Sequence, residues 1–242
     1  MEQLRSKSFD ILLGAWTFLF CFPIPVLMVV GTPRGQVRAI AHIWVRGVFW
    51  MLRHVVKLTH TEHGKENVPH TPCILISNHQ SQWETFYFVM RFPDIAIVAK
   101  SELSKVPIFG WYIRKFPMII IERGTGSAAI RQMTVEVDAA LKSGRYVLMF
   151  PEGTRKGITD PVEFKRGIEV LYSELETAIV PVALNSGIFW GKGKTKTRGT
   201  IQVSYLAPIM PGLSAAAFKS RAEKVLQQER DKLANNAPTN LY

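Results

Sequence analysis

Cys73-Ile74-Leu75-Ile76-Ser77-Asn78-His79-Gln80-Ser81-Gln82-Trp83-Glu84 joins a continuous apolar run to an imidazole and a carboxylate five residues apart. The run reads as a strand buried on both faces, and a strand that empties into His79 and Glu84 reads as acid/base chemistry. On a regular helix a spacing of five turns the chain by about 140°. The two side chains therefore share no helical face, and one must sit in the turn. Ser81 as N-cap with Glu84 three residues later makes a capping-box pattern. It predicts a helix from Gln82, leaves His79 in the loop and folds the carboxylate back toward it. The plain alternative is that Glu84 only caps a helix and His79 is a satisfied turn residue.

Outward from this stretch, four more apolar runs end in polar or charged residues. Ile95-Ala96-Ile97-Val98-Ala99 precedes Lys100, and Met118-Ile119-Ile120-Ile121 precedes Glu122 and Arg123. Tyr146-Val147-Leu148-Met149-Phe150 precedes Pro151-Glu152-Gly153-Thr154-Arg155, and Ala178 to Leu184 precedes Asn185. Helical patterns lie between several of them. The clearest has Ser127 as N-cap, Ile130, Met133, Val137, Ala140 and Leu141 on one stripe, and Gly144 just past its end. A last helix is expected after Ser214, docking Phe218, Ala222, Val225, Leu226 and Leu233.

Strands alternating with helices predict an α/β fold whose sheet is mostly parallel, with flanking helices. Open sheets of that kind bind ligands at the carboxyl ends of their strands. His79, Lys100, Arg123, Glu152 and Arg155 are thereby expected on one edge. A base, a carboxylate beside it and three cations suit a substrate with a proton to lose and a phosphate to hold, because guanidinium pairs bidentately with phosphate.

The chain has 242 residues, enough for one α/β domain with an appendage, and a formal charge of +11. That balance points to an anionic partner: nucleic acid, a phospholipid surface or an acidic carrier protein. Cys21 and Cys73 lie in apolar runs without metal or redox spacing and read as reduced thiols of a cytosolic catalytic domain. No cofactor is expected, and no metal, since His60, His63 and His70 with Glu62 and Glu66 match no ligand spacing.

The first sixty residues favour membrane phospholipids over nucleic acid. Ile11 to Val30 is nearly all apolar but interrupted by Pro23 and Pro25, so it either spans a bilayer or embeds as a broken hairpin. From Val37 to Leu58, Arg38, His42, Arg46, Arg53 and Lys57 fall within about a 100° arc of a helical wheel, with Trp44, Val48, Trp50, Met51 and Val55 on the rest. That pattern suits a helix at a membrane interface; an ordinary amphipathic helix packed on the domain is the alternative. The division expected is a membrane-associated helical hairpin over residues 1–60 and a catalytic domain over 61–242, on the cytoplasmic side of the membrane. Gly191 to Arg198 reads as a mobile basic loop, or as a solvated hairpin.

Taken together, the blocks resemble the glycerolipid acyltransferases of the 1-acyl-glycerol-3-phosphate acyltransferase type. Those enzymes carry a His-x4-Asp block, a strand ending in Arg, a Phe-Pro-Glu-Gly-Thr-Arg block and a late Val-Pro-Val run. Here these are Asn78-His79 with Glu84, Ile119-Ile120-Ile121-Glu122-Arg123, Phe150-Pro151-Glu152-Gly153-Thr154-Arg155, and Ile179-Val180-Pro181-Val182. Phe164-Lys165-Arg166-Gly167 also looks like the family's segment after the third block. The resemblance implies acyl transfer from acyl-CoA or acyl-carrier protein to the hydroxyl of lysophosphatidic acid. It implies His79 as general base, Glu84 as its orienting carboxylate, and Arg123, Glu152, Gly153, Thr154 and Arg155, helped by Lys100, around the acceptor's phosphate. Glu152 is expected to orient Arg155 or an acceptor hydroxyl, since a carboxylate repels phosphate. Glu84 stands where the family usually has Asp, one methylene longer. Another lysolipid acceptor, or a non-catalytic protein binding anionic lipid through Arg38, Arg46 and Arg53, remain the alternative functions.

Overall fold

The five apolar runs become five parallel strands, because a strand covered by helices on both faces needs apolar side chains on both. The computed structural model describes residues 1–23, 27, 31, 33–105, 109–116, 118–122, 126–191 and 195–237. Helices α1 (Glu2–Cys21) and α2 (Arg34–Met51) lead into β1 (Leu58–His63). Then β2 (Ile74–Ser77) is followed by α3 (Trp83–Arg91), β3 (Ala96–Lys100) by α4 (Phe109–Lys115), β4 (Ile119–Ile121) by α5 (Ser127–Lys142), and β5 (Val147–Met149) by α6 (Gly167–Glu174). The chain continues through β6 (Ile179–Leu184), the short α7 (Ser186–Phe189), β7 (Gly199–Tyr205) and α8 (Ala215–Asn235).

These strands form one sheet in the order β1-β7-β6-β2-β5-β3-β4. β6, β2, β5, β3 and β4 run parallel to one another. β7 joins β6 antiparallel and β1 joins β7 parallel, so the pair at this edge runs the other way. The sheet is therefore mixed, with a parallel majority. The strand period of two sorts its side chains between two cores. Leu75, Leu148, Val180 and Ile97 face the cluster shared with Phe9 of α1, Val48 of α2 and Phe88 of α3. Ile74, Ile76, Val147, Met149 and Ile179 face α5, α6 and α8 through Met133, Leu171 and Phe218. β1 straddles residue 60, where the sequence reading divides the chain, and pairs from Leu58 to His63 with Gly199 to Ser204.

The two leading helices are locked to each other by tryptophans. Trp16 Nε1 donates to the carbonyl of Trp44 at 3.1 Å, and Trp44 Nε1 donates to Thr17 Oγ1 at 3.2 Å. Gly47 makes this crossing possible, because a Cβ there would lie 2.5 Å from the Trp16 ring. α2 buries Val37, Val45, Val48 and Met51 against the domain. Arg38 is ion-paired with Asp94, and His42 Nε2 lies 3.0 Å from the carbonyl of Pro93. Two of the residues on the predicted polar arc are thus tied to the α3–β3 turn, and α2 behaves largely as a packed amphipathic helix. Of the large exposed apolar residues, Leu4, Ile11, Leu12, Phe18 and Leu19 sit on α1, and Phe22 directly follows it. Among the described residues no helix is long and apolar enough to cross a membrane.

Part of the predicted basic loop, Lys192 to Lys194, lies outside the described residues. Beyond it, Lys196 is buried rather than presented to solvent. Its ammonium pairs with Asp10 and sits 5.5 and 5.3 Å from the ring centroids of Phe9 and Trp190, while its backbone N–H donates to Ser6 Oγ at 3.0 Å. The connection between β6 and β7 is in this way tied to α1.

Candidate active site

The carboxyl ends of the parallel strands bring most of the expected residues to one edge. β2 lies between β5 and β6, so the loop that leaves it is flanked by the loops leaving those two strands. Each flank binds it. On one side Asn78 Nδ2 donates to the carbonyl of Leu184 at 2.9 Å, and Leu184 N–H returns a bond to Asn78 Oδ1 at 3.0 Å. On the other, His79 N–H donates to Glu152 Oε1 at 2.9 Å and Lys156 N–H donates to the carbonyl of His79 at 2.8 Å. The His79 backbone is therefore fixed before its ring is considered.

Helix α3 begins at Trp83, one residue later than the capping pattern predicts, but the reciprocal bonds are present. Trp83 N–H donates to Ser81 Oγ at 3.0 Å, and Glu84 reaches back to accept from the N–H groups of Ser81 and Gln80, both at 2.6 Å to Oε1. The same oxygen lies 2.8 Å from His79 Nδ1. Glu84 Oε2 accepts from Ser81 Oγ at 2.6 Å and from Ser186 Oγ at 2.8 Å. Glu84 is fully buried. Burial alone raises a carboxyl pKa, but here the hydrogen bond and charge of His79, then the Ser81 hydroxyl and N–H, outweigh it and hold Glu84 below the usual carboxylate range. Cap and imidazole partner are thus one group. The His79 ring also stacks on Phe150 at 4.1 Å between centroids.

Glu152 is the opposite case. It is buried, one oxygen takes the His79 N–H, and Oε2 has no hydrogen-bond partner among the described residues. Desolvation pushes its carboxyl up to about 7, against the pull of the His79 N–H, Arg230 and Lys156. It does not pair with Arg155, which is exposed; its partner is the backbone of the proposed base. Gly153 turns the chain with φ of +73° and donates its N–H to the carbonyl of Phe150 at 3.0 Å. That left-handed turn leaves Thr154 and Arg155 exposed at the edge. Lys100, at the end of β3 and also exposed, is two strands from β2, or about 10 Å across the sheet. Arg123 lies outside the described residues.

Three contributors were not read from the sequence. Ser186 sits just past the Val-Pro-Val run, and nothing in a lone serine after Asn185 signals that it reaches Glu84. Asn78 acts as a strand-edge mimic for Leu184. Arg230 is buried on the inner face of α8, where it donates to the Asp160 carbonyl at 2.5 Å and to Asp231 at 2.7 Å. Among the described residues no group of three or more His, Cys, Asp or Glu side chains could hold a metal ion.

An imidazole held through Nδ1 by an ionised, buried carboxylate, at an edge bearing exposed cations, can take a proton from a hydroxyl. Residues 59–185 match the family model described as Acyltransferase. A 1-acyl-sn-glycerol-3-phosphate acyltransferase of Pseudomonas aeruginosa is 35% identical over 236 residues, covering 96% of this chain and 89% of that protein. One of Limnanthes alba is 30% identical over 85% of this chain and 77% of its own length. The crystal structure of the 1-acyl-sn-glycerophosphate acyltransferase PlsC from Thermotoga maritima has the same fold, with a TM-score of 0.77 over 99% of this chain and 100% of that one at 21% identity. With a matched domain across the site and relatives of one kind along nearly the whole length, the chain belongs to the acyltransferase family, among the 1-acyl-sn-glycerol-3-phosphate acyltransferases.

Proposed function

We propose that this enzyme transfers a fatty acyl group from acyl-CoA or acyl-carrier protein to the sn-2 hydroxyl of 1-acyl-glycerol-3-phosphate, forming phosphatidic acid, with His79 as general base. The observation that carries this is the 2.8 Å contact between His79 Nδ1 and a Glu84 kept ionised by its donors. A carboxylate there makes Nδ1 the protonated nitrogen, which leaves Nε2 as the acceptor. As the acceptor's oxygen attacks the thioester carbonyl, its proton passes to Nε2, and Glu84 stabilises the imidazolium. Collapse of the tetrahedral intermediate breaks the carbon–sulfur bond, and the thiolate leaves as thiol with the proton that the His79 imidazolium gives back. Arg155, Thr154 and Lys100, with Arg123, supply the charge and hydroxyl for the acceptor's phosphate. Glu152 suits that neighbourhood better than a carboxylate at its usual pKa, since near neutrality much of it is uncharged.

The acyl chain has a place to go. A cavity of about 300 Å³ between α1, α2, α3 and α4 is lined by Phe20, Val45, Phe86, Val89 and Tyr112 among others, almost all apolar atoms. Its α3 wall starts at Thr85, next to Glu84. Tyr112 of α4 lines this cavity, whereas its neighbour Trp111 packs with Val37. The membrane seat is assigned to α1. Leu4, Ile11 and Phe18 are exposed within about a 40° arc, a stripe opposite the buried Phe9 and half-buried Trp16, and Phe22 follows the helix end. The catalytic domain then works from the cytoplasmic face.

Thiol release from acyl-CoA and acyl-carrier protein by the detergent-solubilised protein tests the mechanism. Release should require lysophosphatidic acid, fall by about 10²-fold or more in His79→Ala, and fall strongly in Glu84→Gln with acceptor binding retained. Wild-type turnover by Glu84→Gln would reduce Glu84 to a helix cap.

Val89→Trp fills the cavity and should cost long-chain donors about tenfold or more in kcat/KM while sparing short ones. Equal losses for all chain lengths would remove the cavity from this role. Ile11→Glu with Phe18→Glu should lower co-flotation with phosphatidylglycerol vesicles by about tenfold; undiminished flotation would transfer the membrane contact elsewhere.

Glu152 makes a signed prediction for stability. Its folded pKa of about 7 lies above the unfolded value of 4.5, so its contribution is complete below about pH 4.5 and is lost as pH rises through about 7. Glu152→Gln keeps an acceptor for His79 N–H and removes the charge. Unfolding by urea should show the mutant gaining stability over wild type between about pH 5 and 8; a constant difference across that range would contradict the assignment.

A further inference from the structure

Glu84 holds its two oxygens differently. Oε1 takes His79 Nδ1 and the N–H groups of Gln80 and Ser81, all from its own loop. Oε2 takes two hydroxyls, and only Ser186 among the five donors comes from a different part of the chain, the end of β6. Ser186 is fully buried, the first residue of α7, and Ser81 Oγ lies 3.2 Å from it. The torsion that rotates a carboxylate about its last bond is soft, so the imidazole alone does not decide which oxygen faces it. The extra methylene of glutamate, in a position where the family block has aspartate, extends the group by about 1.5 Å. Part of that length is used in folding Oε1 back onto the loop N–H groups. What projects beyond them is Oε2, and Ser186 meets it.

We propose that Ser186 is a positioning residue of the acyl transfer: its hydroxyl, with that of Ser81, fixes the rotation of the Glu84 carboxylate and favours the unprotonated state of the His79–Glu84 pair. It acts through Glu84 and touches no substrate, and the inference rests on His79 being the base. In the base state the carboxylate carries its full charge. When the pair gains a proton, whichever member holds it, that charge is partly cancelled. A donor to the carboxylate therefore favours the base state, and removing it raises the apparent pKa of the pair. Among the described residues, the other titratable groups tied to this pair are Glu152, bonded to the His79 backbone, and through it Lys156 and Arg230. The Ser186 hydroxyl bonds to Glu84 and Ser81 instead.

The test is the pH dependence of kcat/KM for full-length Ser186→Ala and Ser186→Cys, solubilised in detergent, beside wild type and His79→Ala. Alanine removes the hydroxyl. Cysteine keeps nearly its volume with a poor donor, so it guards against a collapse of packing at this buried site. Both should lower kcat by about tenfold, leave KM for lysophosphatidic acid within about twofold, and move the acid limb to higher pH by about half a unit or more. An acid limb that stays at its wild-type position in both variants overturns the proposal, whatever their turnover. Activity surviving in His79→Ala would instead overturn the base assignment on which it rests.

Discussion

A carboxylate buried without water must find donors or lose its charge, and Glu84 meets that constraint with five. They arrive from the imidazole of His79, from two backbone amides and one hydroxyl of the β2–α3 loop, and from Ser186 at the end of β6. Any loop conformation that releases one leaves a charged oxygen under-satisfied, at a cost of about 1–3 kcal/mol or more. The ring orientation of His79 is thus set by the folding of the loop. Glu152, on the other side of the same histidine, has among the described residues one donor and one orphaned oxygen. The two carboxylates are therefore pushed in opposite directions, one held ionised and one drawn toward neutrality. Such divergence separates an orienting anion from a group that shares its proton near pH 7.

The sheet order supplies what the loop needs. Parallel strands require crossovers, and this chain places β5 and β6 on the two sides of β2 although neither is adjacent to it in sequence. The crevice where such an order reverses is open between the flanking connections. Here both flanks close on the loop's backbone, through Leu184 with Asn78 and through Glu152 and Lys156 with His79. The ring is left at the surface of that clamp with 17% of its side chain exposed, enough to meet a substrate.

The central strands and the His79–Glu84 pair were legible because each has a local signature: a continuous apolar run in one case, a cap spacing in the other. β1 and β7 were not. Thr59, Thr61 and His63 of β1 point to half-open surroundings and interrupt the apolar pattern, so the strand blends into the end of an amphipathic helix. α2 was read as an interface helix because its cations cluster, but a helical wheel cannot say that Arg38 has Asp94 to face. Lys196 misled for the same reason: a lysine among glycines and threonines reads as solvated until Phe9 and Asp10 are folded over it. Ser186 was invisible since its partner is about a hundred residues away, and a contact between parallel strands that are not consecutive leaves no local signature in the sequence.

One helix joins the proposed chemistry to the proposed chain gauge. On α3, Glu84 points to His79, the next residues Thr85, Phe86 and Val89 form a cavity wall, and Trp83, Tyr87 and Phe88 enter the core. Another wall is α1, where Thr17, Phe20 and Cys21 line the cavity, with Phe20 about half a turn around the helix from the exposed stripe of Leu4, Ile11 and Phe18 and the other two nearer to it. α1 is in turn tied to the β6–β7 connection through Lys196, and so to the segment that begins with Ser186. On the proposed reading, a lipid surface meets the exposed stripe of α1 while Thr17, Phe20 and Cys21 of the same helix face the acyl chain. The reacting carbonyl is then brought to His79 while its hydrocarbon passes from one apolar medium to another, so little of the chain need be exposed to water on the way.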